Sequence, residues 1–112
     1  MTEHARILIV EARFYSDIAD QLVAGAVSTL NGTGVKHERL AVPGVFELPA
    51  ALRMALRSME FDPASYSYAG FIAFGCVIRG ETDHYDHVCR ESSRALMDLA
   101  TKYAIALGFG VL

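Results

Sequence analysis

Short apolar runs alternate with longer amphipathic stretches along this chain. The four apolar runs, rich in aliphatic and β-branched side chains, lie at residues 7–10, 35–42, 69–78 and 105–112. Short, nearly continuous apolar runs are typical of strands that are buried on both faces, as in parallel sheets. The pattern therefore predicts four strands of a parallel sheet.

The stretches between these runs carry apolar residues at three- and four-residue spacing, which is typical of helices with one buried face. They predict helices over 16–30, 47–59 and 84–102. Glycines and an asparagine in 31–34 end the first helix. Pro49 fits the first turn of the second helix, because a missing N–H costs nothing at that position.

The predicted order β-α-β-α-β-α-β favours a single α/β domain over residues 1–112, with right-handed crossovers between parallel strands. We expect a flavodoxin-like, three-layer α/β/α arrangement of a four-stranded parallel sheet in the order 2-1-3-4. With that order, the first helix lies alone on one face of the sheet and the other helices lie on the opposite face. Either a partner subunit covers the first face, or the chain lacks a C-terminal piece.

Composition excludes several classes of protein. The chain has 112 residues, of which 53% are hydrophobic, so it is not intrinsically disordered. The formal net charge of −3 gives no broad basic surface for nucleic acid. The longest apolar stretch, 71–78, is far too short to span a membrane, and the N-terminal residues show no secretory signal. We therefore expect a cytoplasmic protein without membrane or nucleic-acid partners.

The two cysteines, Cys76 and Cys89, do not form a disulfide framework. We expect two reduced, largely buried thiols, as is usual in a cytoplasmic protein. A catalytic role for Cys76 is the alternative, although its apolar neighbours would raise the pKa of its thiol.

Candidate chemistry lies beyond the carboxyl ends of the predicted strands, where open α/β sheets bind their ligands. After the first strand, Phe14 is either a hydrophobic plug for the first helix or a stacking platform for a flat heterocycle. After the second strand, Glu47 either complements the dipole of its helix or accepts hydrogen bonds from ligand hydroxyl groups.

After the third strand, the residues Gly-Glu-Thr at 80–82 enter the last predicted helix. They form either an ordinary N-cap or a phosphate site, because free N–H groups and the helix dipole both favour an anion. His84 is either a surface or capping residue or a proton carrier, since an unperturbed imidazole has a pKa of ~6.5. His87 and Glu91 share its helix face, but their spacing is not that of a zinc motif, so we expect no metal.

Three sequence strings together resemble the lumazine synthase family: ARF at 12–14, VPGVFELP at 42–49 and GCVIRGETDHYD at 75–86. The resemblance extends over residues 6–112, in the right order and at compatible spacing. It implies a flavodoxin-like fold and a transferase of riboflavin biosynthesis that uses no metal or organic cofactor. The reaction that it implies is the penultimate step of riboflavin biosynthesis. In this step 5-amino-6-(D-ribitylamino)uracil condenses with 3,4-dihydroxy-2-butanone 4-phosphate through a Schiff base. Phosphate is released and 6,7-dimethyl-8-ribityllumazine is formed.

The resemblance also implies roles by position. The residues that would contact the ribitylaminouracil are Phe14, Val45, Phe46, Glu47, Cys76, Val77, Ile78 and Phe109. Among them Phe14 would stack on the pyrimidine, whereas Phe109 would reach the site of a neighbouring subunit. Glu81 and Thr82 would receive the butanone phosphate, and His84 would donate and accept protons as the catalytic residue.

The resemblance implies a homo-oligomer built from pentamers, as a pentamer, decamer or 60-subunit capsid, with sites between adjacent subunits. The chain departs from the family in two ways. Val45 stands where alanine or serine is common, and the C-terminal segment that carries a phosphate-binding arginine and the final helices is absent. We therefore expect the 112-residue chain alone to be weakly active or inactive. Two other functions stay open, a module that binds a flavin-like heterocycle without turnover and a structural shell protein.

Overall fold

The computed structural model describes residues 5–61, 67–78 and 85–111. The strands are β1 (Ala5–Ala12), β2 (His37–Val42), β3 (Ser67–Gly75) and β4 (Leu107–Val111). The α-helices are α1 (Ser16–Thr33), α2 (Leu48–Phe61) and α3 (Tyr85–Tyr103), and a short 3-10 helix (Val45–Glu47) precedes α2. This element order agrees with the order that the apolar pattern predicts.

All strand pairs are parallel, and the sheet has the order β2-β1-β3-β4, which confirms the predicted topology. The central strand β1 pairs on both edges, so that Ile9 lies opposite Arg39 of β2 on one side and Ile72 of β3 on the other. This arrangement brings the carboxyl ends of β1, β2 and β3 together at one edge of the sheet.

The main hydrophobic core lies between the sheet and the pair α2 and α3. Its buried members are Leu8, Val10, Ala12, Val45, Leu48, Ala51, Leu52, Leu56, Phe71, Ala73 and Leu96. Each fully buried leucine contributes roughly 1.5–3 kcal/mol through the hydrophobic effect. This core fixes the start of α2, and with it the 3-10 helix, against the ends of β1 and β3.

Helix α1 packs on the opposite face of the sheet. Side chains alternate along a strand, so Ile9 points away from the main core, yet it is fully buried. Helix α1 contacts β1 and β3, and its buried residues are Ala19 and Val23. The three predicted layers are therefore present, with one helix on one face and two on the other. The rest of the predicted apolar stripe of α1 is only half-buried.

Some element boundaries differ from the apolar pattern. Strand β3 ends at Gly75, opposite Val111 of β4, rather than at residue 78. Residues 76–78 are apolar like the strand, but they lie beyond its last paired position and belong to no strand. Strand β1 continues to Ala12, so Glu11 belongs to the strand rather than to the loop after it.

No helix in the described ranges combines the length and apolarity needed to cross a bilayer.

Candidate active site

A cleft of about 170 Å³ lies at the carboxyl ends of β1, β2 and β3. The residues that line it are Phe14, Tyr15, Gly44, Val45, Phe46, Glu47, Cys76, Val77 and Val88. Three strand-end segments and the first turns of α3 therefore contribute to one cavity. This is the place where open α/β sheets bind ligands.

Two exposed phenylalanine rings border the cleft. Phe14 is 74% exposed and Phe46 is 50% exposed, although both are large apolar side chains. The rings of Phe14 and Tyr15 meet edge to face, with their centroids 4.9 Å apart. The centroid of the Phe46 ring lies 5.8 Å from that of His87. Exposed aromatic faces beside a cavity suit a flat, polar-edged ligand that can stack on them.

The inner end of the cleft is packed without free space. Val45 is buried, and one of its methyl groups lies where a Cβ on Gly75 would stand. Such a Cβ would also lie 3.1 Å from the Cβ of Ala12. Gly75 thus lets the end of β3 approach the 3-10 helix, and the two elements close the floor of the cleft.

Glu47 supplies the carboxylate of the cleft lining. The 3-10 helix is closed by the N–H of Glu47, which donates to the carbonyl of Gly44 at 3.2 Å. A Cβ at Gly44 would lie 3.2 Å from Oε1 of Glu47, so the carboxylate folds back over this glycine. The side chain is exposed, and its oxygens can accept hydrogen bonds from hydroxyl groups of a bound molecule.

The structure brings together most of the residues that the sequence selects. Phe14, Val45, Phe46, Glu47, Cys76 and Val77 all line the cleft. Ile78 is half-buried and does not line it, and Phe109 is exposed on β4. Glu81, Thr82 and His84 lie outside the described residues, so the roles assigned to them stay predictions.

Sequence reasoning did not select three residues of the lining. Tyr15 follows Phe14 directly, and Gly44 belongs to the turn before the 3-10 helix. Val88 of α3 is half-buried, packs against the main core and also lines the cleft. It follows residue 84 by four positions in the helix that the sequence predicts over 84–102, and this spacing is the signal that could have identified it.

A buried ion-pair network lies beside the cleft, at the end of β1. Glu11 is 2% exposed and accepts hydrogen bonds from Nε and Nη2 of Arg39, each at 2.8 Å, and from Nη1 of Arg13 at 2.6 Å. Arg39, and then Arg13, hold the pKa of Glu11 below its ordinary value, and they outweigh the opposing effect of burial. Glu11 is therefore ionised at neutral pH.

Cys76 and Cys89 are free thiols and are half-buried. Within the ranges 5–61, 67–78 and 85–111, no three His, Cys, Asp or Glu side chains are grouped as metal ligands would be. His87 and Glu91 lie in these ranges, on α3.

Comparison with known proteins identifies a family. The model of the 6,7-dimethyl-8-ribityllumazine synthase family matches residues 4–112. The 6,7-dimethyl-8-ribityllumazine synthase of Paramagnetospirillum magneticum is 52% identical over 108 residues, which are 96% of this chain and 72% of that protein. The enzyme of the same name from Nitrobacter winogradskyi is 50% identical over 96% of this chain and 65% of its own length. 6,7-Dimethyl-8-ribityllumazine synthase 1 of Rhizobium meliloti is 52% identical over 95% of this chain and 68% of its own length. The chain thus spans about two thirds of the length of these relatives.

Proposed function

The chain belongs to the 6,7-dimethyl-8-ribityllumazine synthase family, and we propose that it takes part in the reaction of that name. In this reaction 5-amino-6-(D-ribitylamino)uracil condenses with 3,4-dihydroxy-2-butanone 4-phosphate, and phosphate is released. The observation that carries the proposal is the cleft, which places exposed aromatic rings and one carboxylate side by side at the strand ends.

Phe14 and Glu47 are the residues we propose for holding the ribitylaminouracil. The exposed ring of Phe14 offers its face to the pyrimidine, and stacking of a base on an aromatic ring is worth about 1–3 kcal/mol. The carboxylate of Glu47 accepts hydrogen bonds from ribityl hydroxyl groups. The apolar side chains of Val45, Cys76 and Val77 exclude water from the edge of the ring.

The second substrate would bind at residues 80–84, which follow the cleft lining directly along the chain. Glu81 and Thr82 precede helix α3, and backbone N–H groups at a helix start favour a phosphate. His84 would move the protons that Schiff-base formation and phosphate loss require. The amine of one substrate is itself the nucleophile, so the enzyme accelerates the reaction largely by holding both substrates together.

The proposal includes a homo-oligomer built from pentamers, in which Phe109 completes the site of a neighbouring subunit. Two observations support it. Phe109 is 47% exposed on the edge strand β4. The cleft of about 170 Å³ is smaller than the roughly 300–1,000 Å³ of typical ligand pockets, which leaves room for contacts from a neighbouring subunit. A cytoplasmic location goes with the biosynthetic role.

Incubation with both substrates tests the proposal, with lumazine fluorescence and phosphate release as the readouts. We expect both signals to rise together, weakly in the 112-residue chain and faster in a chain extended by the C-terminal segment of its relatives. In the extended chain we expect His84→Ala to lower kcat more than it raises KM, because proton transfer matters in the transition state. Met54→Ala, an exposed change on α2, is the control and should leave both constants unchanged. Binding of the uracil without either signal, in both the 112-residue and the extended chain, would show a heterocycle-binding module instead.

A further inference from the structure

We propose that Arg13 is a positioning residue, whose guanidinium fixes the loop that carries Phe14 before any ligand is bound. The inference rests on the proposed function only in taking the ring of Phe14 as a stacking surface. The hold of Arg13 on the ring is a property of the free protein and can be measured without substrate.

Arg13 bonds to three elements of the structure, through its side chain and its backbone. Its Nη1 donates to Oε1 of Glu11 at 2.6 Å, and its Nη2 donates to the carbonyl of Ser16 at 3.3 Å and to the carboxylate of Asp20. Its backbone N–H donates to the carbonyl of Val42 at 2.9 Å. The residue therefore joins the end of β1, the end of β2 and the first turns of α1.

Phe14 has little packing of its own to hold it. Its ring is 74% exposed and forms an edge-to-face contact with the neighbouring Tyr15. The N-cap residue of α1, Tyr15, makes no side-chain capping hydrogen bond, so a usual device for fixing a helix start is absent at this helix. The direction of the ring therefore depends on the backbone on either side of it, and the bonds of Arg13 hold that backbone.

The charges around Arg13 explain why an arginine can occupy this position. A cation near the positive end of α1 is unfavourable unless anions compensate for it. Glu11, Asp20 and Asp17, the acidic residue in the first turn of α1, supply that compensation. The planar fork of arginine can reach several acceptors in different directions, which a lysine ammonium on a flexible stem does less well.

Arg39 provides a matched control for the test. It shares Glu11 with Arg13 and makes two of the hydrogen bonds to it, but it lies on β2, and both of these side-chain bonds go to Glu11 rather than to the loop 13–16. Removal of either arginine leaves Glu11 with one cationic partner. Only the removal of Arg13 releases the loop that carries Phe14.

The test uses a fluorescent reporter, because the chain contains no tryptophan. Phe14→Trp places a single indole at the cleft, and time-resolved anisotropy measures its motion in the free protein. In this background we expect Arg13→Met to raise the amplitude of nanosecond depolarisation about two-fold, whereas Arg39→Met leaves it unchanged. Asp20→Ala, which removes an exposed acceptor of Arg13, should give a smaller rise and covers the case in which Arg13→Met does not fold.

Arg13→Lys should restore part of the rigidity, since one acceptor stays within reach of an ammonium. With the native Phe14, we expect Arg13→Met to raise KM for the uracil about tenfold with a smaller change in kcat, because the stacking surface is misplaced. Equal anisotropy in the Arg13→Met and parent proteins, or an equal rise in Arg39→Met, would overturn the proposal. An anisotropy change without turnover, in both this chain and one extended by the C-terminal segment of its relatives, would leave the positioning role standing and refute the proposed activity.

Discussion

Phe14 and Gly75 show how single residues define this cleft, one by exposing a ring and the other by lacking a side chain. Phe14 exposes 74% of its surface to solvent, while a Cβ on Gly75 would meet Val45 and Ala12. The exposed ring adds nothing to the packing of the isolated fold, whereas the missing side chain lets Val45 pack against the end of β3. Both shape the cavity at the strand ends, and each can be tested by one substitution.

Phe14→Ala should weaken binding of the ribitylaminouracil while it leaves stability nearly unchanged. Loss of one aromatic stacking partner costs about 1–3 kcal/mol, which corresponds to a roughly 5- to 150-fold higher Kd. An exposed side chain contributes little to folding, so the free energy of unfolding should change by less than about 0.5 kcal/mol. Isothermal titration calorimetry and urea unfolding measure the two effects. Met54→Ala, equally exposed on α2, should alter neither, and unchanged affinity in Phe14→Ala would exclude the stacking role.

Gly75→Ala should destabilise the protein by about 1–3 kcal/mol, because the added methyl group overpacks the floor of the cleft. Val45→Ala removes the methyl group that occupies this space. The double variant should therefore lose at least about 1 kcal/mol less than the two single variants together. Gly25→Ala is the matched control, because nothing lies within 4 Å of a Cβ at this position in α1. It should stabilise the helix by about 0.5–1 kcal/mol. Additive effects at positions 45 and 75 would contradict the proposed contact.

Ion pairs centred on one buried carboxylate of β1 connect this strand to the outer strand β2 and, through Arg13, to helix α1. Glu11 points to the α1 side of the sheet, opposite to its neighbours Val10 and Ala12 in the main core. Because Arg39 lies on β2 and Asp20 on α1, the ion pairs tie three elements together. The strength of this connection should depend on the ionisation of Glu11.

The pKa of Glu11 is lower in the folded protein than in the unfolded chain, where glutamate has its usual pKa of about 4.3. The free energy of unfolding should therefore decrease as the pH falls below about 4.3. The stabilisation is complete above the unfolded pKa and is lost as the carboxylate becomes protonated at the folded pKa. Glu11→Gln should lower the free energy of unfolding at pH 7 by about 1–3 kcal/mol and flatten its decline in acid.

Urea unfolding between about pH 3 and pH 7 measures this effect. Glu60→Gln is the control, because Glu60 is exposed and its oxygen lies 3.9 Å from Arg53. It should leave the pH profile of the parent protein unchanged. An identical acid decline in the Glu11→Gln variant would show that other carboxylates determine the profile.

Elements were easier to predict from the sequence than the contacts between them. The aliphatic run at 7–10 and the helical spacing in 16–30 are local signals, and both elements are present. The pairing of Glu11 with Arg39 is not local, because it depends on the register of β1 and β2 over 28 positions of the chain. Residues 76–78 have the composition of a strand, but pairing ends at Gly75, and Cys76 and Val77 line the cleft instead of extending the sheet.

At the scale of the whole molecule, the strand order explains why distant motifs meet. Strand β1 lies between β2 and β3, so the segments that follow these three strands are neighbours in space although they are far apart in sequence. Strand β4 lies at the outer edge, and Phe109 is exposed there rather than at the cleft of its own chain. This geometry is consistent with a role for Phe109 in another subunit, which is a prediction about the assembly.

Complementation between two variants tests whether sites are shared. His84→Ala and Phe109→Ala chains, each impaired alone, should regain activity when they are co-expressed with different tags and purified as mixed oligomers. If one subunit supplies His84 and its neighbour supplies Phe109, about a quarter of the junctions in a random mixture combine two intact residues. Turnover should then exceed the mean of the two separate variants, and sedimentation should show that the mixed and parent assemblies have the same size. Activity equal to that mean would place both residues in the site of one subunit, because mixing would then create no intact site.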